Sequence, residues 1–420
     1  MKPASDRRTD KPASLALTEA HDLRTGSVPW REAEWHVPHC NPFPSARVDV
    51  AILGCGIVGS VLAERLIDEG KQIAMFDRRP PGSGSTAAST AQVMWAMDVP
   101  MIHLARTIGE ANAARRWRRV YQSVRTLGKR IDSLGLAEAR SECPTVYLAS
   151  NVLDEAGLAE EARMHRRHGL PSEFLAAEDV ARRFGIAPRA AIVSQGGFDI
   201  EPVRVCHAML DRVQKAGASL TWPVDVVALH PVDDGIIVEV GDGRRCHAGD
   251  VILATGYERP ALFLPPAFRL HATFAIATPA GTAPLWREGA MIWEAADPYL
   301  YVRTDRLGRI IAGGEDIDLA EGGGRDGLIG AKAGRIAAKL EALLGTGPIT
   351  VERKWAATFG SSPDGLPAIG PATGMPHLWL AAAFGGNGIA FASLGADILT
   401  RELNGSEDAD RDGFSPYRFQ

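Results

Sequence analysis

From Val48 to Leu53 the chain is a near-continuous apolar run, the pattern of a parallel strand covered on both faces. Past Gly54-Cys55-Gly56 the period changes. Ile57, Val61, Leu62, Leu66 and Ile67 recur at helical spacing until Gly70, which predicts a helix stopped by that glycine. A second apolar run, Gln72 to Phe76, follows at once. Strand, glycine turn, helix and strand within about 30 residues make a βαβ unit, so the fold class predicted is α/β with a Rossmann-like parallel sheet.

Further along, residues 102 to 135 read as largely helical, Thr145 to Ala149 as a short strand and 154 to 168 as another helix. Pro202 opens a helix to Lys215. Residues 219 to 254 read as successive strands with turns at Asp233-Asp234-Gly235 and Gly241-Asp242-Gly243. Strands near 290 to 303 and 309 to 314 predict a separate antiparallel sheet, and Gly322-Gly323-Gly324 reads as a flexible connector. Residues 1 to 46 are polar and proline-containing, broken by Trp30, Trp35, His36 and His39, and are expected to be an extension that docks on the rest.

Composition narrows the function classes. In 420 residues, 45% are apolar and 23% charged, and the formal net charge is -5, which offers no electrostatic case for nucleic acid or an anionic membrane. The expected partner is a small-molecule substrate, with an electron-acceptor partner or self-association left open. Cys40, Cys55, Cys143, Cys206 and Cys246 are odd in number and include no CxxC pair, which argues against a disulfide framework or a structural zinc. No stretch approaches the roughly 20 apolar residues of a membrane span, and the expected location is the cytoplasm.

Gly54-Cys55-Gly56-Ile57-Val58-Gly59 matches GxGxxG in the context that gives the motif meaning. One glycine makes the turn, the next admits a pyrophosphate, and the third lets helix and strand pack closely. Asp77, followed by Arg78, ends the second strand, where a carboxylate accepts hydrogen bonds from ribose hydroxyls. Gly385-Gly386-Asn387-Gly388-Ile389 opens an apolar helix, whose free N-H groups and positive dipole end favour negative charge. His165 and His168, and His36, His39 and Cys40, lack the matching second pair of a metal site, so no metal is expected. Trp95, Met94 and Met97 read either as pocket wall or as core. Arg303, with Tyr301 on the same apparent strand, reads either as facing the site or as an exposed strand arginine.

Val251-Ile252-Leu253-Ala254-Thr255-Gly256 resembles the second FAD motif of two-domain flavoproteins, and it lies about 200 residues after the first with no second GxGxxG between them. That spacing resembles the D-amino-acid oxidase, glycine oxidase and sarcosine oxidase superfamily. Three further segments carry the likeness. Ser85, Thr86, Ala88, Ser89 and Thr90 fall in a small-residue loop that in the family packs along the flavin, and Val224 falls in a strand whose backbone meets the adenine. Pro363-Asp364-Gly365 and then Phe384 to Ile389 resemble the last flavin-contacting stretch.

The resemblance implies a discontinuous FAD-binding domain over 47-97, 188-265 and 351-405, an α+β substrate domain over 98-187 and 266-350, and a tail at 406-420. It implies oxidation of a small amine or amino-acid-like substrate by hydride transfer to flavin N5. The alternatives are oxidation of a 2-hydroxy acid or alcohol on the same fold, or a non-catalytic flavin-binding subunit. It also implies non-covalent FAD, because Ala357 stands where relatives carry a linking cysteine and the loop Gly84 to Ala91 lacks a histidine. Ala390 replaces a lysine that promotes reaction with oxygen, with Arg303 or His271 as possible stand-ins, and Phe359 replaces the arginine that holds a substrate carboxylate. The segment around Trp35 resembles that of bacterial γ-glutamylputrescine oxidases, which act on an amine of this kind.

Overall fold

The computed structural model describes residues 15-16, 22-30, 36-136, 139-258, 263-319, 322-382 and 385-420; Trp35 and Phe384 lie outside them. Val48–Leu53 and Ile73–Phe76 are parallel neighbours joined through the helix Ile57–Asp68, as the change of period predicts. Their side chains are buried on both faces apart from Asp49. Ser219–Thr221 extends the parallel set on one side, and Arg245–Leu253 and then Leu378–Ala382 extend it on the other. Val226–Val232 and Gly235–Val240 run into Arg245–Leu253 as an antiparallel meander through the two glycine turns. The helices Ile57–Asp68, Pro202–Lys215 and Gly388–Leu403 pack together against this sheet.

The second sheet has nine strands in the order Arg24–Gly26, Arg353–Ser361, Arg269–Ala277, Ile310–Ile317, Leu300–Thr304, Met291–Glu294, Thr145–Leu148, Ala191–Ser194 and Ser172–Leu175. It is antiparallel except where Met291–Glu294 meets Thr145–Leu148. The helix Ile329–Leu344 covers part of one face. A small sheet of Gln92–Val93, Phe198–Ile200 and Arg140–Glu142 joins the two layers.

Several expectations change. The single helical stretch 102-135 is two helices, Met101–Ile108 and Glu110–Ser133, because Gly109 between them has φ +83°. Gly322-Gly323-Gly324 is not a flexible connector: Gly322 caps a short helix, Gly323–Gly327, held by the fully buried Arg325, which bonds Asp22, Thr25 and Thr358. The segments 188-265 and 351-405 each straddle the two large sheets, since Ala191–Ser194 and Arg353–Ser361 pair within the second.

The N-terminal extension docks as a strap. Arg24–Gly26 adds an edge strand beside Arg353–Ser361, Leu23, Val28 and Trp30 are buried, and Arg309 donates to the Pro29 carbonyl. At the other end Arg418 grips Asp364 through two bonds of 2.8 Å, fixing the 406-420 segment on the loop that contains Gly365.

Candidate functional site

The glycine turn closes so tightly, on itself and on the end of the strand Arg245–Leu253, that side chains are excluded at Gly54 and Gly59. Gly54 has φ +111°, and a Cβ there would lie 2.3 Å from the Ala254 carbonyl oxygen. At Gly59 a Cβ would lie 2.0 Å from the Gly54 carbonyl oxygen. Gly59 therefore brings helix and strand together and does not itself line the cavity. Gly56 does, and as the N-cap of Ile57–Asp68 it has no side chain to satisfy the first-turn N-H groups. Asp77 accepts hydrogen bonds from Cys55 N at 2.7 Å and Arg79 N at 2.9 Å, and burial pushes its carboxyl above the usual range. Arg79 pairs with the buried Glu258 at 2.7 and 3.0 Å, while Arg78 lies 3.6 Å from Asp225.

A long cavity starts at this turn. Gly54, Gly56, Ile57, Val58, Asp77 and Arg78 line one end. Ser85, Thr86, Ala88, Ser89 and Thr90 form a side, and Thr86 Oγ1 accepts from Ile57 N at 2.9 Å, tying that loop to the helix. Val224, Ala254, Thr255 and Gly256 continue the wall, and Gly385, Gly386, Asn387, Gly388 and Ile389 complete it. Leu23 of the N-terminal strap also reaches the lining, and Arg24 donates to the Ser83 carbonyl at 2.9 Å. The fit to FAD rests on two features: a glycine cradle for phosphates at a helix start whose N-cap, Gly56, carries no side chain and lines the cavity, and the buried Ser85 hydroxyl without a partner.

The other end is aromatic and comes mainly from the second sheet: Thr273, Trp293, Tyr299, Tyr301, Thr358 and Phe359, with Met94, Asp98 and Tyr257. Tyr301 lies opposite Gly313, where a Cβ would be 2.3 Å from the tyrosine oxygen, so the missing side chain gives the ring its place. Burial pushes the Tyr257 and Tyr301 hydroxyls up to about 12 and Tyr299 well above its ordinary value. Asp98 is exposed to the cavity it lines, and desolvation by the surrounding atoms raises its carboxyl.

Of Arg303, Tyr301 and Trp95, the candidates the sequence offers for the reacting end, Arg303 and Trp95 lie outside the cavity lining. Arg303 is 1% exposed, pairs with Asp199 at 3.3 Å, and donates to the carbonyls of Thr90 and Ile200; it stitches the loop that ends at Thr90 to the sheet and does not line the cavity. Trp95 is core, donating to the Gln195 carbonyl at 2.8 Å and packed on Trp117, Tyr121 and His165. Met97 is core as well, whereas Met94 and Tyr301 do line the cavity. Gly365, at φ +69°, packs beneath Val99 outside the lining. Ala357 and Phe359 both line it, and Ala390 is buried behind. His271 bridges Ser361 and Asp318 away from the cavity.

Asp98, Tyr257, Tyr299 and Trp293 escaped the sequence reading. Tyr257 directly follows Ala-Thr-Gly, and Asp98 is the sole charge between Ala91 and His103, signals that local inspection can use. No helix among the described residues is long and apolar enough to cross a membrane, and no group of metal-binding side chains occurs among them.

The fold is shared with glycine oxidase from Geobacillus kaustophilus, at a TM-score of 0.72 and 18% identity over 89% of this chain and 99% of that one. L-proline dehydrogenase from P. horikoshii gives 0.73 and 18%, covering 89% and 98%. A curated relative, the tRNA 5-methylaminomethyl-2-thiouridine biosynthesis bifunctional protein MnmC of Cupriavidus necator, is 26% identical over 87% of this chain. The chain spans only 59% of that relative's length. Residues 49–402 match the family described as FAD dependent oxidoreductase, DAO, and the chain therefore belongs to that family of FAD-dependent oxidoreductases.

Proposed function

We propose that this protein oxidises the CH-NH group of a small amine that carries no free α-carboxylate. Bound FAD supplies the electron sink, taking a hydride equivalent from the carbon beside nitrogen. The chain's own residues bind and orient the amine and keep water from the reacting carbon. The observation that carries this reading is the charge of the aromatic end. Phe359 faces the cavity where the resemblance calls for an arginine, Arg303 is turned away, and among the described lining residues the cations are Arg78 and Arg79, both engaged beside Asp77. A carboxylate there would lack the paired N-H donors that make arginine its usual partner, and burying it unpaired is costly.

FAD is held without a covalent bond in this reading, since no cysteine or histidine is among the described lining residues. The net charge of -5 favours a small molecule over nucleic acid as substrate. The test is anaerobic: amines, α-amino acids and 2-hydroxy acids are added in turn to the purified holoenzyme, and bleaching of the flavin by the amines supports the reading. Bleaching by α-amino acids or hydroxy acids alone overturns it, and a flavin that no class reduces points to a non-catalytic subunit.

A further inference from the structure

We propose that Asp98 receives the substrate nitrogen as an ammonium ion and takes from it the proton that has to leave before oxidation. The inference rests on the amine reading above and names the group that enforces it. Asp98 lies between the strand Gln92–Val93 and the helix Met101–Ile108, and it lines the cavity. Its two oxygens accept from Gly386 N at 3.1 Å and from Asn387 Nδ2 at 3.2 Å. The carboxylate is thus fixed at the start of the helix Gly388–Leu403, with lone pairs left on each oxygen.

What surrounds Asp98 is acidic or phenolic. Asp316 faces it from the strand Ile310–Ile317, and the hydroxyls of Tyr147, Tyr257 and Tyr299 feel its charge; among the described residues no cation acts on it. Asp316 Oδ1 is itself buried without a hydrogen-bond partner. A carboxylate that faces the cavity with an acidic neighbour and no cation is costly to keep ionised, and an incoming ammonium is the partner that relieves the cost. Trp293, stacked on Tyr147 at 3.8 Å between centroids, adds an aromatic face in the same wall, which attracts cations further. An anionic substrate meets repulsion instead.

The chemistry requires the same residue. An ammonium has no lone pair to assist loss of hydride. Its N-H bond breaks, the proton goes to the Asp98 carboxylate, and the electron pair stays on nitrogen. The adjacent C-H bond can then break, its electron pair leaving as the hydride that bound FAD would accept, and water hydrolyses the iminium left behind to a carbonyl compound and an ammonium ion. Desolvation by the cavity wall and the charge of Asp316 both raise the Asp98 carboxyl, which narrows the gap to the ammonium it deprotonates. Below that raised value Asp98 is neutral, so affinity for a cation falls as pH drops through it.

Benzamidinium and benzoate, planar ligands of equal shape and opposite charge that lack an oxidisable C-H beside nitrogen, test the charge preference by their effect on the flavin absorption of the holoenzyme. The expected result is at least about tenfold tighter binding of benzamidinium at pH 8, with the preference lost at low pH, lost in Asp98→Asn and kept in Asp98→Glu. Equal or tighter binding of benzoate by the wild type overturns the proposal, as does a preference that survives Asp98→Asn. The proton role is read from anaerobic reduction by the fastest of a panel of alkyl and benzyl amines. Asp98→Asn is expected to be about 100-fold slower at pH 7 and to recover towards pH 10, where free amine is supplied by the solution. Equal rates in both proteins at every pH sink the Asp98 role alone. Failure of every amine to reduce the wild type takes the amine reading down with it.

Discussion

The two ends of the cavity are built by opposite means. At the glycine-turn end the backbone does the recognising: Gly54, Gly56 and the start of Ile57–Asp68 shape a cradle in which side chains are excluded, and Asp77 is held by two backbone N-H groups. At the aromatic end side chains form the wall, and Thr273, Trp293, Tyr299, Tyr301 and Phe359 come from four separate stretches at or beside strands of the second sheet. A cofactor common to a family is met by conformation that few sequences can adopt. A substrate is met by side chains that can change one at a time, which is how one fold serves many substrates.

The largest expected break is at the first end. Gly56→Glu places a side chain at the phosphate cradle, where even a Cβ would be 3.0 Å from Thr86 Oγ1, and adds a charge like that of the pyrophosphate. The variant should purify colourless, with flavin content below about a tenth of wild type by absorbance.

Next comes Arg303, which belongs to neither end but ties them together. Arg303→Ala leaves Asp199 buried without its ion pair and frees the carbonyls of Thr90 and Ile200, so a loss of about 3 kcal/mol in urea unfolding is expected. Its preference between benzamidinium and benzoate should match that of wild type. A changed preference would return Arg303 to the substrate site.

That misplacement shows where the sequence stops being legible. The parallel strands, the glycine turn and the Ala-Thr-Gly strand end were readable because each is a local pattern imposed by burial or by φ, and nearly all the cofactor-lining residues expected from them do line the cavity. Arg303 and Tyr301 sit two apart on Leu300–Thr304 and so share a face by simple alternation. Tyr301 nevertheless lines the cavity over Gly313, while Arg303 runs beneath Thr90 into a contact with Asp199 that is 104 residues away in sequence. Asp98 carried a local signal only in being the sole charge between Ala91 and His103; its role was not legible because its neighbours Gly386 and Asn387 arrive from nearly 300 residues further on.

A smaller effect sharpens the comparison from the aromatic side. Phe359→Arg supplies the cation that this end lacks and should shift the benzamidinium-to-benzoate affinity ratio about tenfold towards benzoate without changing flavin content. Smallest of all is the effect on oxygen. With no lysine or histidine among the described lining residues, the reduced protein should reoxidise more slowly in air than with an artificial acceptor, as stopped-flow traces of the two would show.

The central claim, that this cavity oxidises a CH-NH carbon, is tested most directly by pairing an amine with the alcohol of identical skeleton. Each is mixed anaerobically with the yellow holoenzyme, the flavin band is followed, and the products are identified by mass spectrometry. The account predicts bleaching by the amine with release of the matching carbonyl compound, and no bleaching by the alcohol. Bleaching by the alcohol, with the amine inert, would contradict it.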